Sequence, residues 1–284
     1  MGALWMLVAG LLFAGMGVLV KLGAQQFSSS ELVFYRSFFG LLIVYAMLQR
    51  ARVTLYTRHW RGHLWRGLSG SVAMMLFFYC ISTLPLATAI TLNYTSSLFL
   101  AVLTVLVLKE KFHIPLSSAL ALGFVGVALL LHPTLAKDQL LPGLLGLSSG
   151  LLAAVAILNV RQLNELGESG MRIVFYFNLI ASLSSGAWVL QDQLHAVAAS
   201  DLPLLVSIGA SATFAQLALT RAHRTGQTLV VGSLAYSTIV FSALFGLIIW
   251  HELPSFSAWI GIALIIASGM LSLRLAPTHT EARK

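Results

Sequence analysis

The sequence predicts an all-α integral membrane protein with ten transmembrane helices, built from two inverted five-helix repeats. Hydrophobic residues make up 58% of the 284-residue chain and charged residues only 9%, whereas about a quarter of the residues in a soluble domain are charged. Apolar runs of about 20 residues, the length that crosses a bilayer, follow one another along the chain. In addition, a stretch of the first half recurs in the second half.

The ten candidate helices are apolar runs bounded by charged residues, Gly and Pro. The first run lacks the basic segment of a signal peptide and is expected to be retained. The connections are short, so we predict one structural bundle, with a first repeat over 1–136, a second over 137–276 and a cytoplasmic tail over 277–284. The predicted spans are residues 3–23, 32–49, 66–84, 86–108, 115–132, 143–162, 171–190, 202–220, 228–250 and 256–275.

The internal repeat is clearest where residues 83–111 align without a gap to residues 225–253. The alignment pairs Tyr94 with Tyr236, and a polar patch beside each tyrosine is kept within the apolar run. Since each half holds five helices, an odd number, the second half must enter the membrane in the opposite direction. Inverted repeats are typical of secondary transporters, whose site lies at the repeat interface near the membrane midplane.

The basic residues predict the orientation in the membrane. With a cytoplasmic N-terminus, all but Lys21, Arg36 and Lys137 of the 17 Lys and Arg residues fall on the cytoplasmic side, as the positive-inside rule requires. We therefore expect both termini in the cytoplasm and an inner-membrane location, and topology explains the net charge of +8 without a nucleic-acid partner. His63 and its neighbour His59 have no acidic or Cys companion, so no metal site or cofactor is predicted.

Several segments resemble the drug/metabolite transporter superfamily, EamA type. They are GLLFAGMGVLVKLGA from Gly10, ELVFYRSFFGLL from Glu31, NYTSSLFLAVLTVLVLKE from Asn93 and YSTIVFSALFGLIIWHELPSFSAWIGIALIIASG from Tyr236. The resemblance covers essentially the whole chain and implies alternating access to a cavity lined mainly by helices 1, 3, 4, 6, 8 and 9. Two positions depart from the family pattern: Ser97 replaces a Pro in helix 4, and His251 replaces a Gly before the Glu that ends helix 9.

The candidate substrate-binding residues are polar side chains within the predicted spans. Two are cations, which favour a substrate with a carboxylate if they face the cavity, although each could instead extend its charged end towards the membrane surface. The uncharged candidates either line the cavity or form hydrogen bonds between helices. The full set is Lys21, Arg36, Tyr79, Asn93, Tyr94, Asn159, Gln216 and Tyr236.

The predicted function is secondary active or facilitative transport of a small organic metabolite across the lipid bilayer. The cations point to a carboxylate-bearing compound, anionic or zwitterionic, such as an amino acid or an organic acid. No acidic residue is predicted near the midplane, which favours a facilitator or an exchanger over a carrier with a buried proton-binding carboxylate. The alternatives are an integral-membrane enzyme, for which no catalytic motif is found, and a channel without alternating access.

Overall fold

The computed structural model describes residues 2–83, 92–108, 114–131, 140–190, 195–250 and 255–275. All regular secondary structure within these ranges is helical. The helices are α1 (Gly2–Gly23), α2 (Ser29–Arg50), α3 (Trp60–Thr83), α4 (Ser96–Leu108), α5 (Ile114–Leu131), α6 (Leu140–Glu165), α7 (Gly170–Val189), α8 (Leu202–Thr225), α9 (Thr228–Ala235), α10 (Ser237–Trp250) and α11 (Phe256–Leu275).

Most predicted spans correspond to one helix, with two differences that concern the repeated stretch. The ninth span forms α9 and α10, which are separated at Tyr236. In the fourth span, a helical turn over residues 92–94 precedes a break at Thr95, after which α4 begins. The first part of this span, residues 86–91, lies outside the described residues. Glu110 and Glu252, which the alignment of residues 83–111 with residues 225–253 pairs, also lie outside them.

The two breaks arise from hydrogen bonds that reach back three residues instead of four. The amide of Thr95 donates to the carbonyl of Leu92 at 3.3 Å, and the hydroxyl of Thr95 donates to the same carbonyl. After the second break, the amide of Ile239 donates to the carbonyl of Tyr236 at 3.0 Å. Side chains that bond back to a helical carbonyl bend a helix, so the fourth span is interrupted although it lacks the family's Pro.

The helices have the length and apolar surface of membrane-crossing segments. Among the described residues, α1, α2, α6, α8 and the stretch 229–249 are each long and apolar enough to span a bilayer. Large apolar side chains also point away from the bundle, for example Leu106 and Leu183, which are 69% and 67% exposed. An apolar outer surface is expected where lipid, not water, surrounds the protein.

Packing between helices brings α2, α3, α7 and α8 together. Helix α2 packs against α7 and α8, and α3 packs against α6 and α7. Elsewhere α1 packs against α8 and α10, α4 against α6, and α5 against α11. The meeting place of α2, α3, α7 and α8 contains the buried cations described below.

The start of α2 is fixed by local and long-range bonds to Glu31. Ser28 and Glu31 form a capping box, in which each side chain accepts a hydrogen bond from the other residue's backbone amide. The Glu31 carboxylate is 1% exposed and also accepts a 2.7 Å hydrogen bond from the backbone amide of His195. This contact ties the segment before α8 to the first turn of α2.

Candidate substrate site

Two buried arginines face the same aromatic ring in the interior of the bundle. Arg36 of α2 is 4% exposed and Arg66 of α3 is 5% exposed. Their guanidinium carbons lie 5.7 Å and 4.1 Å from the ring centre of Phe177, near the middle of α7. Since both distances run to one centre, the two cations are at most about 10 Å apart, close enough to repel strongly in a low-dielectric medium. We call these two residues the arginine pair.

The partners of the arginine pair within the described residues are neutral. The Nη1 atom of Arg36 lies 3.2 Å from the sulfur of Met74. The Nη2 atom of Arg66 donates to Oε1 of Gln216 at 3.3 Å. The Nε and Nη1 atoms of Arg66 are buried and have no hydrogen-bond partner among the described residues. The pair therefore retains donor capacity that these neighbours do not use.

Gly70, one turn after Arg66 on α3, makes room for this arrangement. A Cβ atom at Gly70 would collide with Nη1 of Arg66 and would lie 3.0 Å from Cε2 of Phe177. Any larger residue at this position would displace the guanidinium or the ring. The local sequence thus allows the Arg66 side chain to lie between α3 and α7.

The described carboxylates form no ion pair with Arg36 or Arg66, and each of them has other partners. Glu31 contacts His195, Glu165 contacts Arg161, Glu168 contacts Arg172, and Asp201 accepts a hydrogen bond from Gln26. Within the described part of the chain, the pair is consequently a concentration of positive charge without an acidic counterpart.

The contacts of the arginine pair offset only part of the free energy of burying two cations. Removing an ion from water costs several kcal/mol even after the protein relaxes. A contact between a cation and an aromatic face stabilises the protein by about 0.5–2 kcal/mol, and a hydrogen bond to a charged group by about 1.5–3 kcal/mol. The mutual repulsion of the two guanidinium groups adds a further cost. An anion bound at this place would supply both the missing charge and the missing acceptors.

A second group of predicted residues lies at the breaks of the repeated helices. Asn93 donates through Nδ2 to the hydroxyl of Ser149 at 2.8 Å, and Ser149 donates to the carbonyl of Ala73 at 3.0 Å. The rings of Tyr94 and Tyr236 lie 6.2 Å apart, and Tyr236 is fully buried. Ala73 directly precedes Met74, whose sulfur lies next to Arg36. Helix α3 therefore brings the residues at the helix breaks close to the arginine pair.

The other three predicted residues occupy separate positions. Asn159 donates to the carbonyl of Val155 in its own helix at 3.0 Å. Tyr79 is 45% exposed. Lys21 is exposed in the last turn of α1, where a positive charge interacts favourably with the helix dipole. Their contact with a substrate stays a prediction.

The structure adds Arg66 and Phe177 to the residues that the sequence singled out. The sequence placed Arg66 at the edge of a basic loop, but α3 begins at Trp60, six residues before the predicted span. Gly70, four residues after Arg66, was the available signal, because it leaves space for the long side chain. Phe177 has no comparable signal in the sequence, apart from its position opposite Arg36 when residues 33–35 (VFY) are aligned with residues 174–176 (VFY).

A separate polar cluster surrounds Glu168 between α6 and α7. Glu168 is 4% exposed, accepts hydrogen bonds from Thr57 and Arg172, and lies 3.4 Å from Nε2 of His63. Burial alone would raise the pKa of Glu168, but the hydrogen bonds from Thr57 and Arg172 and the nearby positive charge lower that pKa below its usual range. The cluster connects the loop after α2 to the starts of α3 and α7.

No metal site accompanies these clusters in the described part of the chain. His, Cys, Asp and Glu side chains there do not form any group of three or more that could hold a metal ion.

Known proteins resemble this chain over nearly its whole length. The pseudopaline exporter of Pseudomonas aeruginosa strain UCBPP-PA14 is 30% identical over 270 residues, which cover 95% of this chain and 92% of that protein. The riboflavin transporter of Vibrio cholerae is 26% identical, with coverage of 94% and 91%. The S-adenosylmethionine uptake transporter of Rickettsia prowazekii is 25% identical, with coverage of 93% and 90%.

A solved crystal structure has the same fold, with a TM-score of 0.84 over 97% of each chain and 18% sequence identity. The family described as EamA-like transporters matches the chain twice, over residues 1–132 and 141–274. With its apolar helices, the chain is a multi-pass membrane protein whose relatives transport small molecules. Because the family matches both halves, this protein belongs to the EamA-like transporter family.

Proposed function

We propose that the protein is a secondary active or facilitative transporter of a small organic metabolite that carries a carboxylate, in an anionic or zwitterionic compound such as an organic acid or an amino acid. The observation that carries this proposal is the arginine pair, buried beside Phe177 with neutral partners among the described residues. Arginine is well suited to binding a carboxylate, because its planar group donates two parallel hydrogen bonds. Gln216 next to Arg66 provides a further polar contact for the substrate.

Transport by alternating access is supported by the pattern of helix contacts. When α1 is exchanged with α6, α2 with α7, α3 with α8, and α4 with α10, the main contacts between these helices have counterparts. The packing of α1 on α8 corresponds to that of α6 on α3, and the packing of α2 on α8 to that of α7 on α3. These correspondences favour two five-helix repeats. Because five is an odd number, the two repeats would enter the membrane in opposite directions, which is a common architecture of secondary transporters.

Two glycines, one in each half, touch the broken helices at equivalent places. Gly10 of α1 approaches the hydroxyl of Ser237, directly after the break between α9 and α10. Gly150 of α6 approaches the hydroxyl of Thr95, at the break before α4. Small residues let helices pack closely in membranes. We infer that each broken helix moves against the glycine-bearing helix during the transport cycle.

The proposed location is the inner membrane, with both termini in the cytoplasm. The loop between α2 and α3 carries exposed Arg52 and Arg58, which the positive-inside rule assigns to the cytoplasmic side. Since Cys80 is the only cysteine, a Cys80→Ser background allows single-cysteine labelling. We expect a membrane-impermeant maleimide to label Gln25→Cys in intact cells and Arg58→Cys only after permeabilisation. The reverse pattern would contradict this orientation.

The transport proposal is tested first by finding a ligand and then by measuring exchange. A thermal-shift screen of the purified protein against metabolites identifies ligands, because a compound that binds the folded state raises its apparent stability. A carboxylate found in this way is expected to undergo saturable counterflow in proteoliposomes. Arg36→Gln should abolish the exchange, whereas Arg61→Gln, which changes an exposed arginine near Trp60 on α3, should preserve it.

Two results would contradict the proposal. One is a set of ligands that contains no anionic or zwitterionic compound. The other is a flux that neither saturates nor responds to substrate on the opposite side, which is the behaviour of a channel. The abundance and melting temperature of Arg36→Gln must match those of the wild-type protein for its loss of exchange to count.

A further inference from the structure

We propose that the site takes a dianionic substrate, with one anionic group bound by each member of the arginine pair. This inference rests on the proposed transport function and narrows its substrate class from carboxylate-bearing compounds to compounds with two negative groups, such as dicarboxylates. The inference is based on the position of Arg36 and Arg66, which both contact the ring of Phe177.

Charge balance favours two anionic groups over one. Arg36 and Arg66 are both buried, and the described carboxylates are bound to other partners. A monoanion would leave one positive charge without a counterpart in a medium where such a charge is costly. A dianion balances both charges of the arginine pair among the described residues. Its second group is costly to remove from water, and charge-assisted hydrogen bonds from the second arginine offset that cost.

The geometry provides a separate binding position for each group. Arg36 projects from α2 and Arg66 from α3, so the two guanidinium groups are held by different helices. Each one has only a single neutral hydrogen-bond partner in the described structure, Met74 for Arg36 and Gln216 for Arg66. A guanidinium has five N–H donors, so both retain donors for an anion.

The spacing of the pair suits two groups of one small molecule. The guanidinium carbons lie 5.7 Å and 4.1 Å from the same ring centre, so they are at most about 10 Å apart, and a bonded chain of a few carbon atoms with an anionic group at each end covers distances of this order. Phe177 contacts both cations. Two anionic groups on a short chain could therefore contact both arginines at once.

The same positions disfavour a substrate with a free ammonium group. Such a group would meet two cations of its own sign. The amide oxygen of Gln216 is a neutral acceptor beside the pair, and it already accepts from Arg66. Like charges placed together are a common means of rejecting the wrong ligand. Diacids are thus expected to bind better than amino acids of similar size.

The test compares succinate, glutarate and adipate with their monomethyl esters on the purified full-length protein. Dissociation constants come from the ligand dependence of the melting temperature. At least one diacid should bind about tenfold or more tightly than its monoester, since the monoester lacks one charge-assisted set of hydrogen bonds. Arg36→Gln and Arg66→Gln should each reduce this preference to about twofold or less, while Arg61→Gln keeps the wild-type preference.

The inference is overturned if a monoester binds wild-type protein as tightly as its diacid, if no diacid of the series binds, or if the preference survives in both single variants. The first two outcomes need no variant, so a folding defect cannot obscure them. A monoanion that undergoes counterflow and requires both arginines would leave the transport proposal standing without this inference. A preferred diacid that binds but is not exchanged would instead contradict the transport proposal.

Discussion

Replacing Arg66 with Met is expected to stabilise the substrate-free protein while removing the anion binding that we propose for the arginine pair. Arg66 is 5% exposed, and Nε and Nη1 have no partner among the described residues. Its contacts with Phe177 and Gln216 contribute at most about 2–5 kcal/mol of stabilisation. The opposing free energy is the cost of burying the cation, which is several kcal/mol, together with the repulsion by Arg36. Replacing buried ionic groups with apolar side chains of similar volume has stabilised proteins by about 1–4 kcal/mol.

The assay is the apparent melting temperature of the purified protein in detergent without ligand. One kcal/mol shifts the melting temperature by about 2–4 °C for domains of 150–250 residues, so Arg66→Met should raise it by at least about 2 °C. The matched control is Arg61→Met, which removes an exposed arginine 5.5 Å from the ring of Trp60 on the same helix and should change stability by about 0.5 kcal/mol or less. A melting temperature well below that of the wild-type protein would refute the reasoning, because it would mean that the existing contacts of Arg66 already compensate its burial.

Two further predictions concern the contacts between segments. Glu168→Gln should destabilise the protein by about 1.5–3 kcal/mol, because it weakens a charge-assisted hydrogen bond between the buried Glu168 and the partly exposed Arg172. By contrast, Glu165→Gln, in an exposed pair, should cost about 0.5 kcal/mol or less. Because the pKa of Glu168 is lowered in the folded state, the ionised carboxylate contributes fully to folding stability above the ordinary pKa of 4.5. This contribution is lost as the pH falls through the lowered pKa. If acid reduced the stability of wild type and Glu168→Gln equally, this prediction would be contradicted. Gly150→Val should reduce both stability and transport, because its Cβ would lie 2.8 Å from a backbone carbonyl; the expected loss of stability is about 1–3 kcal/mol. The control is Gly17→Val, which should change neither property, since a Cβ at Gly17 meets nothing within 4 Å.

Helices that are apolar along their whole length could be predicted closely from the sequence. The end of α1 at Gly23 and the start of α11 at Phe256 agree with the predicted spans, because hydropathy changes sharply at these two places. The start of α3 could not be predicted in this way, since Arg61 and Arg66 give its first turns the composition of a loop. The break at Tyr236 was also missed, because it depends on backbone hydrogen bonds, although the repeated polar patch marked its place.

The candidate site was predictable only where a residue contrasts with its sequence neighbours. Arg36 stands out as a cation within an apolar run, and Gln216 as an amide within another. Arg66 was hidden by the basic loop before it, and Phe177 by the apolar composition of α7. Their importance comes from contacts between α2, α3, α7 and α8, which are distant in the sequence and are brought together only by packing.

The binding of a substrate carboxylate by the arginine pair is tested most directly by a double-mutant cycle between protein and ligand. The dissociation constants of an identified substrate and of its carboxamide analogue are measured for wild type and for Arg36→Gln. If Arg36 binds the carboxylate, conversion to the amide weakens binding to wild type by about tenfold or more and has almost no effect on Arg36→Gln. An equal loss of affinity in both proteins would show that the carboxylate is bound elsewhere and would contradict the proposed site.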